Sequence, residues 1–115
     1  MSGFLDLVGI DRSGDPTVVT SKDHENVHGG VQGGLIATLI DAAMGQAVRE
    51  GLGEEKTATV QLTITYLNPG TPGDTLTAVA QVRKRGGKLV MLEADVSNQD
   101  DEAIAHGVAT FAISS

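Results

Sequence analysis

The sequence predicts an α+β fold, in which a curled antiparallel sheet of five to six strands wraps around one long central helix. Two observations carry this prediction. Only one segment, about Gly34 to Gly51, keeps apolar residues at helical spacing over several turns. After it the apolar period changes to two, and four such segments follow, separated by glycine, proline and polar breaks. One sheet with one helix packed on it is a stable two-layer solution for a chain of this size.

The elements follow in order. Residues 2–8 predict a short helix with Ser2 as N-cap. Thr17-Val18-Val19-Thr20 predicts a short strand, and Glu25 to Gly34 reads as a polar, glycine-rich loop. In the long helix, Leu35, Leu39, Ala42, Ala43, Ala47 and Val48 keep near-helical spacing. The opposite face carries Ala37, Thr38, Asp41 and Gly45, so the helix is apolar over most of its circumference and should be buried. Gly51 and Gly53 are its stop signals. Ala58, Val60, Leu62, Ile64 and Tyr66 then alternate with Thr57, Thr59, Gln61, Thr63 and Thr65, the pattern of a half-buried strand. Asn68-Pro69-Gly70 and Pro72-Gly73-Asp74 break the chain. Strands follow over about Thr75–Arg85, Lys88–Ser97 and Ala103–Ile113. Gly86-Gly87 forms a hairpin turn between the first two, and Asn98 to Asp101 a polar turn before the last. Tight connections predict a four-strand antiparallel meander. Its free edges invite pairing with another copy, so a homo-oligomer, a dimer at least, is expected.

Composition narrows the function. The 115 residues fit a single domain, 1–115, with one modest core. Aromatics are 3% of the chain, namely Phe4, Tyr66 and Phe111, so the core must be aliphatic. A net charge of −7 argues against nucleic acid as a partner. No apolar run approaches the roughly 20 residues of a membrane span, and no signal peptide is expected from Met1 to Asp6. The chain has no cysteine, which excludes a thiol nucleophile and a disulfide framework and fits a cytoplasmic setting. No histidine pair has metal-ligand spacing, so no metal is expected. No G-x-S-x-G elbow or Ser-His-Asp set is present. Arg83, Lys84, Arg85 and Lys88 form one basic cluster, either a solvated hairpin tip or an attractor for a phosphorylated ligand.

The segment richest in chemistry is Asn26-Val27-His28-Gly29-Gly30-Val31-Gln32-Gly33-Gly34, which leads into the long helix and Asp41. Glycines that open a buried helix expose backbone N–H groups at its positive end, where a carbonyl oxygen or an anion is stabilised. Asp41 lies eight residues after Gly33, about 12 Å along a helix. If both act on one carbonyl, two chains must share each site. From periodicity alone, Asp41 reads equally as a functional carboxylate or as a buried polar contact to a loop or a basic side chain. His28 is either a loop residue or part of a pocket lining. His24 is expected to be exposed, and His106 structural.

The stretch Asn26-x5-Gln32-Gly33-Gly34-x6-Asp41-x3-Gly45 resembles the signature of the PaaI-type acyl-CoA thioesterases of the hotdog fold. Ile64-Thr65-Tyr66-Leu67-Asn68-Pro69, Arg85-Gly86-Gly87-Lys88 and Gly107-Val108-Ala109-Thr110-Phe111 are similar to that family as well, and the resemblance runs from about Leu7 to Ile113. It implies hydrolysis of aryl- or medium-chain acyl-CoA thioesters, with coenzyme A present only as part of the substrate and no separate cofactor. It also implies a homotetramer. The Gly33 amide would hold the thioester carbonyl. Asp41 of the opposite subunit would act as nucleophile or general base. Asn26 would orient water or substrate, and Thr59 would help hold the water. Arg83, Arg85 and Lys88 would meet the nucleotide phosphates, with Gly34, Gly45 and His28 as further candidate substrate contacts.

One position departs from the family, which has His where this chain has Gln32. Gln donates a hydrogen bond but cannot shuttle a proton. A thiol, with a pKa of roughly 8.5, leaves without much acid assistance, so thioester cleavage survives the change better than a hydratase or dehydratase reaction would. A catalytically silent acyl-CoA-binding module would use the same glycines and basic residues, with Asp41 as a polar contact only.

Overall fold

The computed structural model describes residues 3–114. Its elements are helix α1 (Phe4–Leu7), strand β1 (Thr17–Val19), a 3-10 turn (Lys22–His24), helix α2 (Gly33–Arg49), and strands β2 (Lys56–Tyr66), β3 (Thr75–Arg85), β4 (Leu89–Ser97) and β5 (Ala103–Ser114). α1 is shorter than expected and starts after Gly3, which makes no side-chain cap. The expected cap, Ser2, lies outside the described residues. α2 begins at Gly33 rather than after it and stops at Arg49, short of Gly51. The 3-10 turn escapes periodicity because it is held by capping: Ser21 Oγ accepts from Asp23 N–H, and His24 Nδ1 accepts from Ser21 N–H at 3.0 Å. His24 Nε2 also meets the Val8 carbonyl at 2.7 Å, so this histidine is half-buried in the loop framework rather than exposed.

All five strands form one antiparallel sheet, ordered β1-β3-β4-β5-β2. The meander therefore covers β3, β4 and β5 only. β2 pairs with β5 at the far edge and not with β3. The reason lies in residues 67–74, which are too long and proline-rich for a tight turn and instead pass the start of α2, where Val31 N–H donates to the Gly70 carbonyl at 2.9 Å. β1 then takes the β3 edge, pairing Val18 with Leu76.

α2 lies against the sheet through Leu35, Ile36, Leu39, Ile40, Met44 and Val48, all buried. Ala42 and Ala47, expected in the core, are only half-buried, while Ile36, Ile40 and Met44 take up core positions. The helix approaches β5 closely at Gly107, where a Cβ would come within 3.0 Å of Ile40 Cγ2. The aliphatic core is completed by Leu76, Val90, Val96 and Ile104.

β2 departs from strict alternation. Thr59 pairs with Phe111 but Gln61 pairs with Thr110, so Val60 is an extra residue in the ladder. This bulge reverses the facing of the strand. On its C-terminal side Leu62 and Ile64 face the core, as their alternation suggests. On its N-terminal side Thr59 faces inward, opposite buried Phe111, and Val60 is left 60% exposed.

Candidate active site

The loop before α2 is built around Asn26. Its Oδ1 accepts from His28 N–H at 2.9 Å and from Gly30 N–H at 3.0 Å, and its own N–H donates to the Gly30 carbonyl at 2.7 Å. This closes the loop and delivers the chain to Gln32, whose N–H donates to the His24 carbonyl at 2.8 Å. Gln32 then occupies the N-cap position without making a side-chain cap. Among the described residues the N–H groups of Gly33 and Gly34 find no acceptor, whereas Leu35 N–H turns back to the Gln32 carbonyl. Two free donors therefore stand at the positive end of a long helix. They border a cleft of about 540 Å³ lined by Asn26, Gln32, Gly33, Gly34, Tyr66 and Asn68, among others.

Two turns further along α2, half-buried Asp41 accepts a hydrogen bond at Oδ1 from the Thr59 hydroxyl at 2.6 Å. Among the described residues Oδ2 has no hydrogen-bond partner. Asp41 and Thr59 border a separate cleft of about 280 Å³, shared with Gly45, Arg49 and Phe111. Gly45 is buried there, and a Cβ on it would lie 3.0 Å from Arg49 Nη1 and 3.7 Å from Phe111 Cε2.

Asn26, Gln32, Gly33 and Gly34 are thus brought together at one cleft, and Asp41, Thr59 and Gly45 at another. His28 is exposed. The basic residues do not converge. Arg83 lies 3.8 Å from Glu93. Arg85 reaches inward, donating to the Val48 and Ala47 carbonyls at 3.2 Å each, where it caps the C-terminal end of α2. Lys88 is exposed in the hairpin. His106 meets Asp95 at 2.7 Å on the sheet face away from the helix. Among the described residues no group of three His, Asp or Glu could hold a metal ion, and no helix is long and apolar enough to cross a membrane.

Tyr66 is not among the site residues the sequence points to. Its place as the last apolar position of a strand, within the family-like run Ile64 to Pro69, carries no sign of a site role, yet its hydroxyl donates to the Gly33 carbonyl at 2.8 Å. Its ring also lies where a Cβ on Gly33 would come within 3.3 Å.

Residues 24–105 match the family model described as "Thioesterase superfamily". The chain is 32% identical over 103 residues to acyl-coenzyme A thioesterase PaaI of Escherichia coli, covering 88% of this chain and 71% of that protein. The BH2602 protein of Bacillus halodurans, solved with CoA, superposes with a TM-score of 0.90 at 31% identity, covering 97% of this chain and 79% of that one. The smu.793 protein of Streptococcus mutans, solved with acetyl CoA, superposes with a TM-score of 0.78 at 28% identity, covering 86% and 78%.

Proposed function

We propose that this chain, which belongs to the thioesterase superfamily and has its hotdog fold, hydrolyses acyl-CoA thioesters with Asp41 as the catalytic carboxylate. The observation that carries the assignment is the pairing of a two-amide helix start at Gly33 and Gly34 with a hydrogen-bonded carboxylate on the same helix. The thioester carbonyl accepts from the Gly33 amide, and the negative charge that grows on its oxygen is stabilised at the helix N-terminus. Asp41 attacks the carbonyl carbon through its free oxygen, giving an anhydride that water then cleaves to free acid and carboxylate, or it draws a proton from a water that attacks the carbonyl directly; in both routes coenzyme A leaves as thiolate. Thr59 holds the carboxylate in place. Gln32 supplies a hydrogen bond without proton transfer, which favours hydrolysis over enoyl hydration. Aryl and medium-chain acyl groups are the proposed substrates, in a cytoplasmic setting, with no cofactor beyond the coenzyme A of the substrate.

The two clefts of one chain share no lining residue, which supports a site completed by a second copy. β2 is an edge strand, and α2 runs antiparallel to it, with Gly33 beside Tyr66 and Asp41 beside Thr59. An antiparallel pairing of two β2 edges about a two-fold axis would lay the Thr59 end of one copy along the Tyr66 end of the other. Asp41 of the partner subunit would then face the Gly33 amide. A dimer is the minimum unit of this proposal, and a tetramer is two such dimers.

The test is thiol release across aryl- and aliphatic acyl-CoAs by the wild-type protein and by Asp41→Asn. The expected result is turnover by the first and a loss of about a thousandfold or more in the second. Near wild-type turnover by Asp41→Asn removes Asp41 from the mechanism. Tight acyl-CoA binding with no thiol release by the wild type would make the protein a binding module.

A further inference from the structure

We propose that Tyr66 is a positioning residue of the reaction, orienting and polarising the peptide between Gly33 and Gly34 so that the Gly34 amide joins the Gly33 amide in holding the substrate carbonyl. This inference rests on the thioesterase reading above. The Tyr66 hydroxyl donates to the Gly33 carbonyl at 2.8 Å. In a regular helix that oxygen already accepts from Ala37 N–H, so the tyrosine adds a second donor. The Gly33 carbonyl and the Gly34 N–H belong to one planar trans peptide and point in opposite directions. A bond to the oxygen fixes the plane and draws electron density from the nitrogen, which makes the N–H a stronger donor. That N–H has no acceptor among the described residues and borders the cleft of about 540 Å³.

The rest of the chain is arranged to deliver Tyr66 there. Thr59 and Tyr66 are seven positions apart, an odd separation that would put them on opposite faces of a regular strand. The bulge at Val60 changes the parity: their ladder partners, Phe111 and Ala105, are six apart and share the core face. One strand therefore secures both ends of the chemistry on α2, Asp41 through Thr59 and the Gly33–Gly34 peptide through Tyr66. Gly33 itself lies against the Tyr66 ring, where an added Cβ would make a tight contact at 3.3 Å.

The chain contains a single tyrosine, so biosynthetic replacement of tyrosine by 3-fluorotyrosine alters Tyr66 alone and makes its hydroxyl a stronger donor. Tyr66→Phe removes the donor and keeps the ring. Both proteins are compared with wild type for kcat and KM in thiol release. The carbonyl stretch of carbonyl-13C acyl-CoA bound to the same proteins is measured in the Asp41→Asn background. Tyr66→Phe is expected to lower kcat about tenfold, with KM within about twofold, and to raise the stretching frequency of the bound carbonyl. Fluorotyrosine is expected to move that frequency the other way. An unchanged kcat with an unmoved frequency in both proteins overturns the proposal, as does a rise in KM alone, which would make Tyr66 a wall of the cleft. If the wild type releases no thiol from any acyl-CoA, the hydrolase reading itself fails and takes this role with it. Should Tyr66→Phe unfold, the fluorotyrosine protein decides the question by itself.

Discussion

The Thr59 hydroxyl donates to Asp41 Oδ1 at 2.6 Å, across a span that the alternation of β2 assigns to the wrong face. The bulge at Val60 turns Thr59 inward. The bond leaves Asp41 one constrained and one free oxygen, the arrangement needed for a carboxylate that must meet a carbonyl carbon or a water at a fixed angle.

Thr59→Val keeps the shape of the side chain and removes its donor. We expect kcat for thiol release to fall about tenfold, the worth of one hydrogen bond to a charged group, while Thr59→Ser stays close to wild type. Steady-state kinetics of the two variants make the comparison. Equal activity in Thr59→Val would mean that Asp41 is held by other contacts.

A site shared between chains has a signature that no single-chain site reproduces. Gly33 is the first residue of α2, where proline fits the helix backbone and removes the N–H, while its ring presses on Tyr66 and so disables the same half of the site. Asp41→Asn and Gly33→Pro proteins should each be inactive alone. Co-expressed, half of the dimers are hybrids with one intact Gly33–Asp41 pair, so turnover should recover to about a quarter of wild type. Recovery to background only, with hybrids verified by mass spectrometry, would place Gly33 and Asp41 of one chain in the same site or separate them in function.

Deleting Val60 should be mild, although it shortens a strand beside the site. Removal of the extra residue leaves Thr59 opposite Phe111 and Gln61 opposite Thr110, now without a bulge. We expect turnover within about tenfold of wild type, because a lost bulge costs local twist and not the facing of Thr59. Loss of activity on the scale of Asp41→Asn would show that the bulge itself shapes the site.

Arg85 is expected to matter first for stability. Arg85→Ala leaves the Ala47 and Val48 carbonyls at the end of α2 without their charged donor. The cost should be about 1–2 kcal/mol, read as a lower midpoint in urea unfolding. Lys88→Ala, at an exposed position, should shift the midpoint by less than about 0.5 kcal/mol. If Arg85→Ala unfolds like wild type and instead raises KM for acyl-CoA, its role is nucleotide binding.

The elements were legible because each is a local pattern. Leu35 to Val48 repeats at helical spacing, and Leu76 to Val82 and Val90 to Val96 carry an apolar residue at every second position, so one helix and an antiparallel sheet could be read from the sequence. The candidate site was legible for a related reason: glycines opening a buried helix and a lone acid within it are conspicuous against an aliphatic background. Long-range relations were not legible. The sheet order places β2 beside β5, which depends on the path of residues 67–74 past the start of α2. The bulge at Val60 depends on how far β2 must travel along β5 to bring both of its ends to the helix. Periodicity within one segment records which residues dislike water. Which of them meet, and therefore that Thr59 holds Asp41 while Tyr66 holds Gly33, is decided only when two segments compete for the same surface.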